Sequence, residues 1–129
     1  MSHVEETDLV DLTQRLLDAI TKADWDTYEM LCDPTLSAFE PEGRGHLIEG
    51  MEFHRFYFDL GAGDSPRHTT IASPRVRLMG DVGVVSYVRL TQWIGDNGAT
   101  VTSPFEETRI WQRQNGAWRH VHFHRSRCE

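Results

Sequence analysis

Three arginines occupy positions where the core of a β-sheet normally places hydrophobic side chains. Arg89, Arg109 and Arg125 each share a strand face with large apolar neighbours, because strand side chains repeat with period two. An unpaired buried guanidinium is too costly to persist. We therefore expect these arginines either to meet buried carboxylates or to line a wet pocket that accepts anions.

Both interpretations of the arginines stay open. A guanidinium fork suits bidentate capture of a carboxylate, which favours a pocket. The competing interpretation pairs the arginines inside the fold, with Glu107, Glu40 or Glu106 as partners. We favour the pocket because the strands offer fewer inward carboxylates than inward arginines. The two can coexist, since one glutamate can orient one arginine.

The other candidate groups indicate no catalytic or metal chemistry. His120, His122 and His124 alternate on one predicted strand face, a spacing that can hold a metal. A strand is too extended for all three to bind one ion easily, so we assign them to solvent or a subunit interface and predict no metal. The chain has no recognisable nucleophile–base pair or phosphate loop. We predict no catalytic residues and no cofactor.

Composition places the chain among ordinary single domains. Its 129 residues fit one domain, 1–129, with residues 1–6 as a flexible tail. The net charge of −7 argues against nucleic acid or anionic lipid as partner. No apolar run approaches a membrane span, and the acidic N-terminus lacks a signal-peptide core. Two cysteines suit a reduced setting, so we expect a cytoplasmic protein.

The first half of the chain predicts helices. An apolar stripe with helical spacing runs along the first of them, at Leu9, Leu12, Leu16, Ala19 and Ile20. Asp24 is a plausible N-cap for a second, short helix. Residues 35–40 predict a strand, the aromatic-rich residues 51–59 a buried helix, and residues 60–66, which include Asp64, a loop.

The second half predicts long antiparallel strands over residues 67–79, 82–94, 100–113 and 117–126. Gly80-Asp81, Asn97-Gly98 and Asn115-Gly116 supply the turns, and Pro74 marks a bulge or bend in the first of these strands. Helices followed by a bent meander predict an α+β cone, with N-terminal helices packed against a strongly bent antiparallel sheet.

The register at the last turn has two possibilities. A two-residue Asn-Gly loop pairs Arg109 with His122. A three-residue loop pairs Arg109 with Val121 and Trp111 with Arg119. We favour the second, because it places Val121, Phe123 and Arg125 on the same face as Arg109 and Trp111.

Several blocks of sequence resemble the association (hub) domain of calcium/calmodulin-dependent protein kinase II. They are CDP at 32–34, AFEPE at 38–42, EGMEFHRFYF at 49–58, YVRLTQ at 87–92, EETRIW at 106–111, GAW at 116–118 and VHFHRS at 121–126. The resemblance extends from about residue 9 to residue 126. Ordered blocks over nearly the whole chain are more specific than any short motif.

The resemblance implies a nuclear-transport-factor-2-like cone that assembles into a closed ring of twelve or fourteen subunits. It implies kinase domains or related hub subunits as partners, and calmodulin binding as a property of the family. No kinase domain is found in these 129 residues, so calmodulin regulation cannot be inferred from them. The family's longer loop after Phe58, with its tryptophan, is replaced here by residues 60–66.

The resemblance also implies a deep pocket for small carboxylates or an anionic peptide. The family's pocket arginines match Arg89, Arg109 and Arg125, and its pocket histidine matches His54. With Tyr87 and Glu107 these form our candidate ligand-binding set.

We therefore expect an oligomerisation hub with an anion pocket. The alternative is a stand-alone cone-fold enzyme of isomerase, dehydratase or cyclase type, acting on a small acidic or carbonyl substrate. In that case His54 or Glu107 would act as base while an arginine holds an oxyanion. An arginine-rich pocket suits binding of an anion better than turnover, so we favour the hub.

Overall fold

Two helices open the chain in the computed structural model, which describes residues 2–63 and 65–128. Helix α1 spans Ser2–Lys22 and helix α2 spans Trp25–Leu31. Helical backbone thus begins within the predicted tail of residues 1–6, while Met1, Asp64 and Glu129 lie outside the described residues.

The apolar stripe predicted on α1 is confirmed. Leu9, Leu16 and Ala19 are buried, and Leu12 and Ile20 pack partly buried against the same core. The N-cap of α2 is also confirmed, because the Asp24 side chain accepts a hydrogen bond from the backbone N–H of Thr27.

Helix α3 covers Glu52–Asp59, close to the predicted range, but it is not a buried helix. Phe56 and Tyr57 are 61% and 43% exposed in the single chain, and His54 is the buried member among its described residues. The helix packs one side against the core, so its aromatic content alone could not say which rings are covered.

Six strands form one sheet that supports the arginines. They are β1 (Cys32–Phe39), β2 (Ile48–Glu49), β3 (His68–Met79), β4 (Val82–Ile94), β5 (Thr100–Gln114) and β6 (Ala117–Arg127). Their spatial order is β2-β1-β6-β5-β4-β3, with an antiparallel meander from β3 to β6. The predicted α+β class is confirmed, although β1 pairs with β6 in parallel.

Because β1 runs parallel to β6, the C-terminal end of β1 lies beside β6, where Phe39 pairs with His124. The strand starts directly after α2, three residues before the predicted strand, and a short 3-10 turn at Pro41–Gly43 follows it. Glu40 and Glu42 therefore lie beside β6. This contact between distant parts of the sequence could not be deduced from strand patterns.

The hairpin between β5 and β6 differs from both predicted registers. Near the turn Trp111 pairs with His120, as a two-residue loop requires, so the favoured three-residue register is wrong. A bulge between Ile110 and Trp111 then shifts the pairing, and Arg109 faces Phe123. The bulge preserves the shared face of Arg109, Phe123 and Arg125 by inserting one unpaired residue in β6.

The same bulge separates the three histidines that the sequence analysis placed on one face. His120 is fully buried, so its assignment to solvent or an interface is wrong. His122 and His124 stay on the opposite side, where both rings lie near Phe39. The bulge predicted at Pro74 is confirmed by a register shift between Ala72 and Arg75.

The core joins α1 to the sheet through a tryptophan and a threonine. Trp111 and Thr13 are both fully buried. The indole Nε1 of Trp111 donates to the Thr13 hydroxyl at 3.2 Å, and that hydroxyl donates to the Leu9 carbonyl at 2.7 Å. Both polar groups are thus satisfied inside the core.

We expect Thr13→Val to lower the free energy of unfolding by about 1–3 kcal/mol, because it leaves the buried Nε1 of Trp111 without an acceptor. The control Thr13→Ser keeps the hydroxyl and loses one methyl group, worth about 0.8 kcal/mol. Urea unfolding followed by fluorescence measures both variants. A Val variant at least as stable as the Ser variant would contradict the role of this hydrogen bond.

Candidate ligand-binding pocket

The predicted arginines meet at a single cavity between the helices and the inner face of the sheet. The cavity holds about 460 Å³, and Arg89, Arg109 and Arg125 all line it together with His54. Strand pairing explains this convergence, because Arg89 lies opposite Phe105, and Arg125 opposite Glu107, in neighbouring strands. Four of the six candidate residues therefore line one space.

The other two candidates, Tyr87 and Glu107, are not among the residues that line this cavity. The Tyr87 hydroxyl donates to Oε1 of Glu107 at 2.6 Å. Glu107 is 2% exposed and sits beneath the arginines. These two residues form the floor that holds the arginines, and do not face a ligand directly.

Glu107 contacts all three arginines. Its Oε1 accepts from Nη2 of Arg109 at 2.9 Å, its Oε2 accepts from Nη1 of Arg89 at 3.4 Å, and Nε of Arg125 lies 3.5 Å from Oε2. One buried carboxylate thus serves three guanidinium groups. The internal pairing that we had ranked second is present, alongside the cavity.

The ion cluster keeps Glu107 charged in spite of its burial. Burial alone would raise the pKa of this carboxyl, but the charges of Arg109 and Arg89 outweigh it and lower the pKa to about 2. Burial lowers the pKa of Arg89, with Glu107 opposing that effect. For Arg109, Tyr87 and Glu107 outweigh burial and raise the pKa.

Each of the three guanidinium nitrogens of Arg109 has a partner within the protein. Its Nε donates to the Tyr87 hydroxyl at 2.8 Å, its Nη2 to Glu107, and its Nη1 lies 3.5 Å from Nε2 of His120. The guanidinium also stacks 4.3 Å from the centre of the Phe123 ring. Although it lines the cavity, Arg109 is 1% exposed and has the environment of a structural ion pair.

Arg89 and Arg125 are less fully paired. The Nε atoms of both are buried and have no hydrogen-bond partner among the described residues. Within the same residues, none of their protein hydrogen bonds uses Nη2; each of these arginines donates through Nη1. These two arginines therefore retain donor capacity beside the cavity.

His54 forms a carboxylate–histidine pair at the same cavity. Its Nε2 lies 2.7 Å from Oε2 of Glu40, and the two side chains are each 8% exposed. Burial would raise the pKa of Glu40, but His54 and Arg125 outweigh it and lower the pKa. Glu40 also accepts from Nη1 of Arg125 at 3.3 Å, so it links the histidine to the arginine cluster.

Two residues near the arginines were not expected from the sequence. Glu42 accepts from Nη1 of Arg125 at 2.7 Å, and its proximity to Glu40 on a Pro41 turn was the available signal. His120 accepts from Arg109, so its Nδ1 carries the ring proton and lies 3.4 Å from Sγ of Cys32. The sequence held no signal for the contacts of His120, because they depend on the bulge in β6 that turns this side chain inward.

The buried Cys32–His120 pair has the features of a structural contact. Burial raises the pKa of Cys32 to about 12, which disfavours the reactive thiolate. Burial, reinforced by the charge of Arg109, lowers the pKa of His120 well below its usual range. In residues 2–63 and 65–128 no group of three metal-ligating side chains is placed to hold a metal ion.

Helices covering one face of an open sheet, with a cavity between them, match the nuclear transport factor 2-like fold. A protein of that superfamily from Salmonella enterica superposes with a TM-score of 0.80 over all of this chain and 94% of that one, at 23% identity. This likeness establishes the fold class.

The chain belongs to the family described as the calcium/calmodulin dependent protein kinase II association domain, whose model matches residues 5–129. The association domain of the Caenorhabditis elegans kinase superposes with a TM-score of 0.91 at 47% identity, covering 96% of each chain. The hub homology domain of Chlamydomonas reinhardtii gives 0.89 at 43% identity, covering 95% of this chain and 98% of that one.

Among full-length relatives, the delta subunit of calcium/calmodulin-dependent protein kinase type II from Oryctolagus cuniculus is 47% identical over 122 residues. That match covers 92% of this chain and 23% of the relative. These findings identify an oligomerisation domain that self-associates. No helix in the described part of the chain is long and apolar enough to cross a membrane.

We expect Glu107→Gln to lower the free energy of unfolding by about 3–5 kcal/mol, because it leaves buried guanidinium groups without their counter-ion. The matched control is Glu106→Gln, one position away on the exposed side of the same strand. Denaturant unfolding at neutral pH measures both. A loss no larger than that of the control would contradict the central role of Glu107.

The two variants should also differ in how their stability depends on pH. The pKa of Glu107 is lowered from 4.5 to about 2 on folding, so its ion pairs stabilise the fold fully above pH 4.5 and lose that effect as the pH falls through 2. Glu107→Gln should remove this part of the acid sensitivity, whereas Glu106→Gln should keep it.

Proposed function

We propose that this oligomerisation domain closes into a ring of twelve or fourteen copies and that its arginine-lined cavity accepts a small carboxylate or an anionic peptide segment. Membership of the association-domain family supports the ring. Arg89 and Arg125 line a cavity of about 460 Å³, and within the described residues neither uses its Nη2 in a protein hydrogen bond, which supports the anion site. The cytoplasm is the setting that we propose for it.

Exposed apolar side chains favour an assembled state over a monomer. Large hydrophobic residues at least 40% exposed in the single chain are Met30, Phe39, Leu47, Phe56, Tyr57, Leu60, Met79 and Ile94. Contiguous apolar surfaces commonly mark contacts with other subunits, and within this set the rings of Phe56 and Tyr57 lie side by side, with their centres 5.2 Å apart. We also propose a kinase domain or related hub subunits as partners. This proposal rests on membership of the family and on no particular residue of this chain.

The ring predicts a mass of twelve or fourteen times the 14.9 kDa of one chain. Native mass spectrometry at neutral pH, repeated over a dilution series, should find this closed assembly with few intermediate species, because a closed ring satisfies every contact. Light scattering on the same samples provides an independent mass. A monomer or dimer across the series would contradict the ring.

Two arginine variants test the anion site. We expect acetate, compared with chloride at equal ionic strength, to raise the melting temperature of the wild-type protein by mass action. Arg89→Gln and Arg125→Gln should each weaken acetate binding by about tenfold or more, since a charge-assisted hydrogen bond contributes roughly 1.5–3 kcal/mol. Arg109 is unsuitable for this test, because its removal would disturb the buried ion cluster.

Arg127→Gln is the matched control for both variants. It removes the same charge from an exposed position two residues after Arg125 on β6, and Arg127 is not among the residues that line the cavity. Acetate should stabilise this variant as it does the wild type. If all three variants respond equally, acetate acts through general electrostatics and the pocket assignment fails.

A second candidate function is a stand-alone isomerase, dehydratase or cyclase. The Glu40–His54 pair supports it, because a carboxylate that orients a histidine is a common base arrangement. Within the described residues the remaining ring nitrogen, Nδ1, has no hydrogen-bond partner and is buried away from solvent, so it is poorly placed to take a proton from a substrate. This favours a binding site over a catalytic one. Exchange of α-protons of an oxo acid in deuterated water, abolished by His54→Gln, would support the enzyme.

A further inference from the structure

Two carboxylates of this chain, Glu40 and Glu42, line the cavity and pair with Arg125. Glu42 lines the cavity, and its Oε1 lies 2.7 Å from Nη1 of Arg125, the shortest of the contacts that this guanidinium makes with carboxylates. The geometry is that of a charge-assisted hydrogen bond of ordinary length. It is the interaction that an external carboxylate would make with the same arginine.

Glu42 differs from the other two partners of Arg125 in its burial. Glu40 and Glu107 are at most 8% exposed at their side chains, whereas Glu42 is 39% exposed. Glu40 is also held by His54, and Glu107 by Arg109. For Glu42, Arg125 is the only ion-pair partner within the described residues.

The backbone around Glu42 also suits release of its side chain. Glu42 sits in the middle of the three-residue turn Pro41–Gly43, outside the sheet. Arg44 and Gly45 follow with φ of +55° and +91°. Because Glu42 lies in this turn and its side chain is 39% exposed, a change of rotamer can move its carboxylate into solvent without breaking a strand pair.

We propose that Glu42 is an intramolecular competitor that occupies the anion site of Arg125 and is displaced when an external carboxylate binds. This inference rests on the proposed anion site and names the residue that controls its affinity. Displacement leaves Arg125 paired with Glu40 and Glu107, so the fold keeps its ion cluster.

Competition between Glu42 and an external carboxylate for Arg125 determines which ligands bind well. A ligand that reaches only Arg125 must replace an existing carboxylate and gains little. A ligand whose carboxylate also takes the unused donors of Arg89 gains a new interaction, because none of the described contacts of Arg89 involves Glu42. The site therefore selects carboxylates that penetrate to Arg89 over those that stop at the rim.

The test compares Glu42→Gln and Glu42→Asp with the wild-type assembly, using acetate as the probe. Titration calorimetry measures affinity, with chloride at matched ionic strength as the reference. Glu42→Gln should bind acetate about two- to fivefold more tightly, the range expected when an exposed ion pair is removed. Unfolding temperatures without acetate check that each variant is folded.

Glu42→Asp separates competition from a general field effect. It keeps the negative charge but shortens the side chain by one methylene group, which moves the carboxylate away from Nη1 of Arg125. Competition predicts tighter acetate binding in this variant too. A simple loss of local negative charge predicts wild-type affinity for Asp and tighter binding for Gln alone.

The outcomes are distinct. Tighter binding in both variants, absent when Arg125→Gln is added, supports the competitor. Tighter binding in Gln alone, or no change in either, overturns it while leaving the anion site intact. If neither the wild type nor any variant binds acetate, the proposed anion site is itself wrong, and the role of Glu42 falls with it.

Discussion

The buried carboxylate of Glu107 contacts three guanidinium groups in the interior of this domain, and among the described residues Arg125 alone has further carboxylate partners, Glu40 and Glu42. Glu107 has two oxygens, and Arg109 holds one of them at 2.9 Å while Arg89 and Arg125 approach the other at 3.4 and 3.5 Å. Two carboxylate oxygens cannot accept hydrogen bonds from three guanidinium groups at equally short distances. The inequality leaves Arg109 bound firmly and the other two arginines with unused donors, which is the origin of the cavity's capacity for an anion.

The division of labour among the arginines follows from their neighbours in the sheet. Arg109 lies opposite Phe123 and next to Tyr87 and His120, and these groups complete its hydrogen bonds and cover its face. Arg125 lies on β6 farther from the β5–β6 turn, where Glu40, the residue that follows β1, reaches it. The same residue type thus becomes part of the scaffold in one place and a potential ligand contact in another.

The period of strands was sufficient to find the arginines but not their partners. Side chains alternate between the two faces of each strand, and this local pattern was enough to identify Arg89, Arg109 and Arg125 as inward-facing. Their pairing depends on a bulge in β6 that turned His120 inward, and on the parallel placement of β1 that delivered Glu40. Both are properties of tertiary packing. Likewise, the aromatic residues of α3 revealed a helix but not which rings remain exposed.

The cavity lining includes charged and aromatic residues beyond the three arginines of the strands. Gly61 and Ala62, which follow α3, contribute to the cavity lining, and neither has a side chain large enough to close it. The aromatic wall comes instead from Trp93 on β4, with the guanidinium of Arg67 stacked 4.6 Å from the ring centre. Four arginines and two glutamates line the cavity (Arg67, Arg89, Arg109, Arg125, Glu40 and Glu42), so the lining carries an excess of positive charge that favours an anion.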